Sequence, residues 1–179
     1  MALPSTIFKI NLQISDLDRQ YYNEHQLTLA RHPSETDERM MVRLIAFALH
    51  ADENLFFTKG LCADDEPALW RKNLTGEIEL WIDVGLPDER RVRKACNRAE
   101  QVCLYLYGGR AADLWWQRNT SKLQRFSNLK VFELKEADCR SLKTLVQRSM
   151  QFQFTIQDGE VWLSCADQTL NISPLLREI

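Results

Sequence analysis

Apolar and polar residues alternate without a break from Thr6 to Ile14. Phe8, Ile10, Leu12 and Ile14 share one face, and Lys9, Asn11 and Gln13 share the other. A period of two predicts a half-buried strand, and Gln26 to Arg31 supplies a second strand for an antiparallel pair. The pattern then changes to a helical period. Ser34 is placed to cap the helix, Asp37 completes a box-like start, and the helix is expected to run to about Asp52. At about 100° per residue, Glu38 falls in the sector of Met41, Val42, Ile45 and Leu49. A carboxylate therefore lies on the line of the apolar face, at its N-terminal end.

Phe56 to Leu61 is a short strand candidate, and Cys62 to Gly76 reads as an acidic, proline-containing connection. Ile78 to Val84 alternates again, with Glu79, Trp81 and Asp83 opposite the apolar row. Pro87 fits a first helical position with Asp88 and Glu89 in the first turn, predicting a helix to about Glu100. Val102 to Tyr107 is unbroken apolar sequence, which suits a strand covered on both faces. A helix from Arg110 to about Phe126, a strand from Leu129 to Leu134 and a helix from Glu136 to about Ser149 follow. The order strand–helix–strand–helix–strand from Ile78 to Leu134 predicts a parallel sheet. Gln151 to Gln157 and Glu160 to Cys165, joined by Asp158-Gly159, predict a β-hairpin. The expected fold class is α/β (α+β): a mixed sheet flanked by helices, with antiparallel edge strands and a C-terminal β-hairpin.

A length of 179 residues is the size of one domain, so residues 1–179 are read as a single domain. At 45% hydrophobic and 27% charged residues the composition is that of a folded protein and excludes a disordered chain. A net charge of -2 argues against coating nucleic acid by bulk charge, while leaving room for a local basic patch. No apolar run approaches the ~20 residues of a membrane span, and Met1 to Lys9 lacks a signal-peptide pattern. A cytoplasmic, monomeric protein with no membrane partner is expected. Cys62, Cys96, Cys103, Cys139 and Cys165 form no C-x-x-C, and His25, His32 and His50 add no zinc spacing, so reduced thiols are expected.

Candidate chemistry begins at Asp83, near the end of a strand expected in a parallel sheet. Ligands of such sheets bind beyond the strands' carboxyl ends, although a turn residue facing solvent fits the same position. Glu79 shares its face but lies about 13 Å away along the strand, too far to share one ion. Partners must come from Asp64-Asp65-Glu66 or from Glu38, and oxygen ligands of this kind suit Mg²⁺. A solvated acidic loop is the competing reading. In the following helix, Val92, Ala95, Cys96 and Ala99 make the buried stripe, while Arg90, Arg91, Arg93, Lys94 and Arg98 cover the rest. Those cations form either a phosphate-binding face or a solvated one. Arg91 flanks the stripe and is better placed than Lys94 to reach over a strand end. Gly108-Gly109 opens a helix and is a weak candidate for a phosphate cradle, since neither glycine-rich fingerprint is present.

Several longer words resemble the YaeQ family of small bacterial proteins. They are Arg31-His32-Pro33-Ser34-Glu35-Thr36 with Glu38-Arg39-Met40-Met41, Gly60-Leu61-Cys62 with Asp64-Asp65-Glu66-Pro67, Leu80 to Arg91, and Thr155-Ile156-Gln157-Asp158-Gly159. The resemblance runs over nearly the whole chain. It implies a compact variant of the restriction-endonuclease-like fold with an altered PD-(D/E)XK motif, and a loose link to transcription elongation. By position, Glu38 matches the first-helix Glu of that superfamily. Glu66-Pro67-Ala68 resembles the PD word, with Ala68 where a carboxylate is expected, so Asp65 or Glu66 would substitute. Asp83-Val84-Gly85 resembles the (D/E)-x-K word with Gly85 in place of the Lys, so Lys94 or Arg91 would stand in. The leading expectation is a nuclease or related phosphodiesterase dependent on Mg²⁺ or Mn²⁺. Glu38, Asp65, Glu66 and Asp83 would hold the metal, Lys94 would join them in catalysis, and Arg90, Arg91, Lys94 and Arg98 would grip phosphate. The second expectation is a non-catalytic module whose basic helix contacts nucleic acid or the transcription machinery.

Overall fold

Alternation at the N-terminus becomes a long hairpin in a computed structural model of the chain, which describes residues 4–59, 61 and 65–179. Gly60, Cys62 and Asp64, and the words containing them, lie outside the described residues. β1 (Thr6–Asp16) runs antiparallel to β2 (Tyr21–Arg31), from Thr6 opposite Arg31 to Asp16 opposite Tyr21. Phe8, Ile10, Leu12 and Ile14 are buried as the period requires. β2 starts at Tyr21 rather than Gln26, because main-chain pairing with β1 extends it through residues that carry no apolar signal.

The chain gathers into two compact units, Met1–Ala51 with Ala137–Pro174, and Asp52–Glu136 with Leu175–Ile179. In the first, β8 (Ser149–Gln157) lies parallel to β1, and β9 (Glu160–Cys165) and β10 (Gln168–Ile172) follow antiparallel, giving the order β10-β9-β8-β1-β2. The Asp158-Gly159 turn has φ of 53° and 75°, the pair of positive values that a two-residue hairpin needs. Helix α1 (Asp37–Leu49) is capped by Thr36, not Ser34. The Thr36 side chain accepts from the Arg39 N–H at 3.1 Å, while Ser34 sits in a turn, 2.5 Å from His32 Nδ1. α1 ends at Leu49 rather than Asp52, whose side chain instead accepts from the Asn54 N–H at 2.8 Å. From Met40 to Ala48 every residue of α1 is buried, Arg43 included, so the helix has no solvated face there.

The second unit is built on the predicted parallel core. β5 (Ile78–Val84), β6 (Ala99–Leu106) and β7 (Leu129–Glu133) are parallel neighbours, joined through α2 (Glu89–Arg98) and α3 (Arg110–Leu123). β3 (Leu55–Phe57), β4 (Leu69–Lys72) and β11 (Leu175–Arg177) complete the order β11-β7-β6-β5-β4-β3. β4 lies inside the stretch expected to be a loop. Like β3 and β11 it is too short to show a period, and β10 in the other unit was missed for the same reason. Pro87 precedes the helix, and Asp88 caps it by accepting from the Arg91 N–H at 2.8 Å. α2 ends at Arg98 because Ala99 already belongs to β6, and α4 (Glu136–Lys143) stops well before Ser149, where β8 begins. Trp81, Val92, Ala95, Val102, Leu104 and Val131 belong to the core of this unit, with Trp70 packed against it. The result is a mixed α/β protein with two open mixed sheets, four helices among the described residues, and the expected β8–β9 hairpin. Among the described residues, no helix is long and apolar enough to cross a membrane.

Candidate functional site

The chain leaves β5 through Gly85, at φ 107°, whose N–H donates to the Tyr105 carbonyl at 2.9 Å. Side chains larger than hydrogen are disfavoured at that φ. The turn that starts α2 therefore selects against a lysine at 85, and the cation beside Asp83 comes from α2 instead. Arg91 Nε donates to Asp83 Oδ2 at 3.0 Å and Nη2 to Oδ1 at 3.0 Å, a two-pronged ion pair. Trp81 Nε1 donates to Asp83 Oδ2 at 2.9 Å. The carboxylate is buried and both of its oxygens are engaged.

A second layer of contacts gathers around this pair. Arg91 Nη2 also donates to the Glu66 carbonyl at 2.7 Å, and Arg98 Nη1 to the Asp65 carbonyl at 2.9 Å. The Lys94 ammonium pairs with the Asp65 carboxylate. Arg98 lies over the Trp81 ring, 5.3 Å from its centroid, and Trp70 meets Trp81 edge-on at 6.4 Å. Asp65, Glu66, Asp83, Arg91, Lys94 and Arg98 are thus brought together in the second unit. Glu38 belongs to the first unit, on the first turn of α1. Ala68 is buried just before β4, its N–H donating to the carbonyl of Ile82, the residue before Asp83, at 2.9 Å. Glu79 is taken by Arg71 Nε at 2.9 Å. Arg90 and Arg93 are exposed, make no ion pair among the described residues, and line a groove along α2 with Asp88, Lys94 and Asn97.

This donor set does not suit a divalent cation as it stands. A guanidinium occupies both Asp83 oxygens, an ammonium occupies Asp65, and Glu66 offers its main-chain carbonyl to Arg91 rather than to an ion. Among the described residues, no three His, Cys, Asp or Glu side chains are grouped as metal ligands. Cations this close repel a metal that would share the same oxygens. Burial pushes the Cys96 thiol up to about 11 and the Cys103 thiol up to about 12, so neither of these two is a thiolate nucleophile at neutral pH. Among the described residues, Cys96, Cys103, Cys139 and Cys165 form no disulfide. At Gly109, φ 56°, a Cβ would meet Glu136 Oε2 at 2.5 Å, so an internal carboxylate already lies against the glycine turn that opens α3.

Among the described residues, three buried acids, Asp16, Glu35 and Glu133, are not among the residues singled out from the sequence. Where the chain enters α1, Glu35 rather than Glu38 is the carboxylate drawn into the first unit's interior. Its Oε2 accepts from Arg43 Nη2 at 2.6 Å and its Oε1 from Arg39 Nη1 at 2.7 Å. Burial lowers the Arg43 pKa, and the Glu35 charge pulls it back up. Arg39 and Arg43 are one turn apart within α1 and share a line of that helix, but Glu35 precedes the Thr36 cap, so no helical repeat in the sequence marks it as their partner.

Comparison with known proteins is consistent along the whole chain. A family model described as "YaeQ protein" matches residues 1–174. The chain is 50% identical to the Escherichia coli (strain K12) protein named "Uncharacterized protein YaeQ" over 173 residues, covering 97% of this chain and 96% of that one. It is 51% identical to the Salmonella typhi protein of the same name over 172 residues, 96% and 95% of the two chains. Among solved structures, the YaeQ protein from Xanthomonas axonopodis pv. citri superposes with a TM-score of 0.94 at 50% identity, covering 97% of this chain and 98% of that one. The YaeQ protein from Pseudomonas syringae also gives 0.94, at 34% identity over 98% and 97%.

Proposed function

Given that the chain belongs to the YaeQ family, we propose that it binds the phosphate backbone of nucleic acid along the exposed cations of α2, with Asp83 and Arg91 as the brace beneath them. The observation that carries this reading is the division of labour on one helix. Arg91 is spent on Asp83, whereas Arg90 and Arg93 face solvent without an ion-pair partner among the described residues. Exposed cations spaced along a helix neutralise successive phosphates and release their counterions, which gives affinity without reading base sequence. The link to transcription implied by the resemblance makes nucleic acid, or a protein that carries it, the natural partner of a monomer in the bacterial cytoplasm.

The test is fluorescence anisotropy of labelled single-stranded DNA, duplex DNA and RNA across a KCl titration. Log affinity should fall linearly with log salt. Replacing Arg90 and Arg93 together by Ser should weaken binding and flatten the slope by roughly one for each cation lost. Binding that ignores salt, or a double variant that binds as the wild type does, overturns the reading.

A second reading, a phosphodiesterase of the PD-(D/E)XK type within a restriction-endonuclease-like fold, is favoured by one observation. Asp83 stands at the carboxyl end of a central parallel strand with Arg91 beside it, and Lys94 joins the same cluster through Asp65. It predicts cleavage of nucleic acid that requires Mg²⁺ or Mn²⁺ and is lost in Asp83→Ala protein purified in parallel. Cleavage by neither protein leaves the binding reading in place.

A further inference from the structure

The first unit leaves hydrogen-bonding groups open at a second place. β8 pairs with β1 from Ser149 to Ile156, but its pairing with β9 begins only at Gln153, opposite Ser164. β9 ends at Cys165, and the next residue, Ala166, takes a left-handed φ of 43° that turns the chain towards β10. Ser149 to Phe152 therefore form a short open edge within the five-stranded sheet, on the side that β9 vacates.

The parity of the ladder says which groups face that gap. Lys9 N–H donates to Arg148 O at 2.9 Å and Leu17 N–H to Ile156 O at 2.8 Å, so the even-numbered residues of β8 are turned to β1. Odd-numbered residues are turned the other way, and Gln153, Thr155 and Gln157 stand opposite Ser164, Trp162 and Glu160 of β9. Ser149 and Gln151 have no strand opposite. Their main-chain groups make no hydrogen bond among the described residues.

A furrow follows this edge. One part, about 260 Å³, is lined by Asn11, Gln13, Gln151, Gln153 and Ser164 among others. The adjoining part, about 400 Å³, includes Leu145, Met150 and Phe152. No residue lining either part is charged. Asn11 Oδ1 is buried and receives no hydrogen bond, an acceptor that folding alone leaves unmet.

We propose that this furrow docks an extended, uncharged peptide segment of a partner protein, which adds to β8 as a strand where β9 stops. The spacing argues for a peptide. Ser149 and Gln151 present donor–acceptor pairs about 6.6 Å apart, the repeat of alternate residues in a strand. A lining without charge matches a neutral main chain and offers nothing to a phosphate or a charged headgroup. Alternate side chains of the guest meet the amides of Asn11, Gln13 and Gln153 on one face and Leu145 and Met150 on the other. The preferred segment therefore alternates neutral polar and apolar residues.

The probe is a displayed library of short random peptides without Asp, Glu, Lys or Arg. Enriched peptides are synthesised and titrated by fluorescence anisotropy against the full chain and two variants. Gln151→Pro removes an N–H that points into the furrow and none that β1 uses, a position where a strand accepts proline. Affinity should fall roughly tenfold or more, with circular dichroism unchanged. Gln151→Ala keeps that N–H and should bind within a few-fold of wild type. Should Gln151→Pro alter the circular dichroism, amide exchange of wild-type Ser149 and Gln151 decides: slowing on peptide addition supports strand addition, and no change overturns it. The proposal also fails if no peptide is enriched or if Gln151→Pro binds as wild type does. It fails equally if the furrow instead mediates self-association, or takes neutral oligosaccharides in preference to peptides.

Discussion

In the first unit Glu35 and Arg43 are both out of solvent, each side chain 2% exposed, with the charged atoms 2.6 Å apart. In the second, Asp83 is almost as dry at 4%, but its partner Arg91 is 28% exposed. The chemistry is the same and the surroundings are not. A sealed pair has no water to turn to, so its worth lies in each ion keeping the other from being stranded. A pair with one wet partner is held differently on its two sides: the buried carboxylate is fixed by Trp81, while the guanidinium, though it also donates to the Glu66 carbonyl, is partly open to solvent. The first is an element of the fold. The second is a hinge between fold and surface chemistry.

Breaking the sealed pair should give the largest effect. Glu35→Gln leaves Arg43 buried beside Arg39 without a counter-charge and should destabilise the chain by about 3–5 kcal/mol. A urea titration followed by circular dichroism measures it. Replacing both partners, Glu35→Leu with Arg43→Met, should recover most of the loss, because apolar side chains of similar volume need no partner. A single-variant loss below about 1 kcal/mol would place water beside Arg43 and remove the contrast.

Asp83→Asn sharpens the same contrast from the other side. The amide still offers an oxygen to Trp81 while Arg91 can turn to solvent, so the expected loss is smaller, about 2 kcal/mol. The variant also releases a cation beside Arg90 and Lys94. Its affinity for duplex DNA should rise, and its salt slope should steepen by roughly one. A stability loss matching that of Glu35→Gln, with no gain in DNA affinity, would make both pairs purely structural.

How much of this was legible follows from where each signal lives. β1, β5 and the β8–β9 hairpin were legible because side-chain alternation and an Asp-Gly turn are local. Arg91 over Asp83 was legible too, since the helical wheel of α2 places Arg91 beside its buried stripe. Glu35 and Arg43 were not, because a helix buried on all sides from Met40 to Ala48 shows no polar face against which a buried arginine stands out. The early end of β9 rests on the φ of Ala166, and an alanine announces nothing of the kind. Gly85 lies between these cases. Its absent side chain was visible as a missing lysine, but only the φ of 107° gives the reason.

The smallest expected effect asks whether the openness at Asp83 belongs to Arg91 alone or to the strand beneath it. Cys103 on β6 stands opposite Ile82, the residue before Asp83, and burial pushes its thiol up to about 12, with Lys130 pulling weakly back. An ordinary thiol titrates near about 8.5. The folded value is raised, so the folded state holds this proton more tightly. The contribution is complete below about pH 8.5 and is lost as pH climbs towards about 12. Between about pH 8 and pH 9.5 this thiol alone should remove about 1 kcal/mol of stability. The measurement is the urea midpoint at the two pH values, read by tryptophan emission, which reports the second unit through every tryptophan but Trp162. Cys103→Ala removes the thiol's share of the slope, and the small cavity it leaves costs the same at both pH values and cancels. A flatter slope in the variant means that the strand core next to Asp83 is dry, and the wetness of the pair is confined to Arg91. An unchanged slope means that water already reaches the β5–β6 ladder. Asp83 would then be as open as its partner, and the hinge would extend into the sheet.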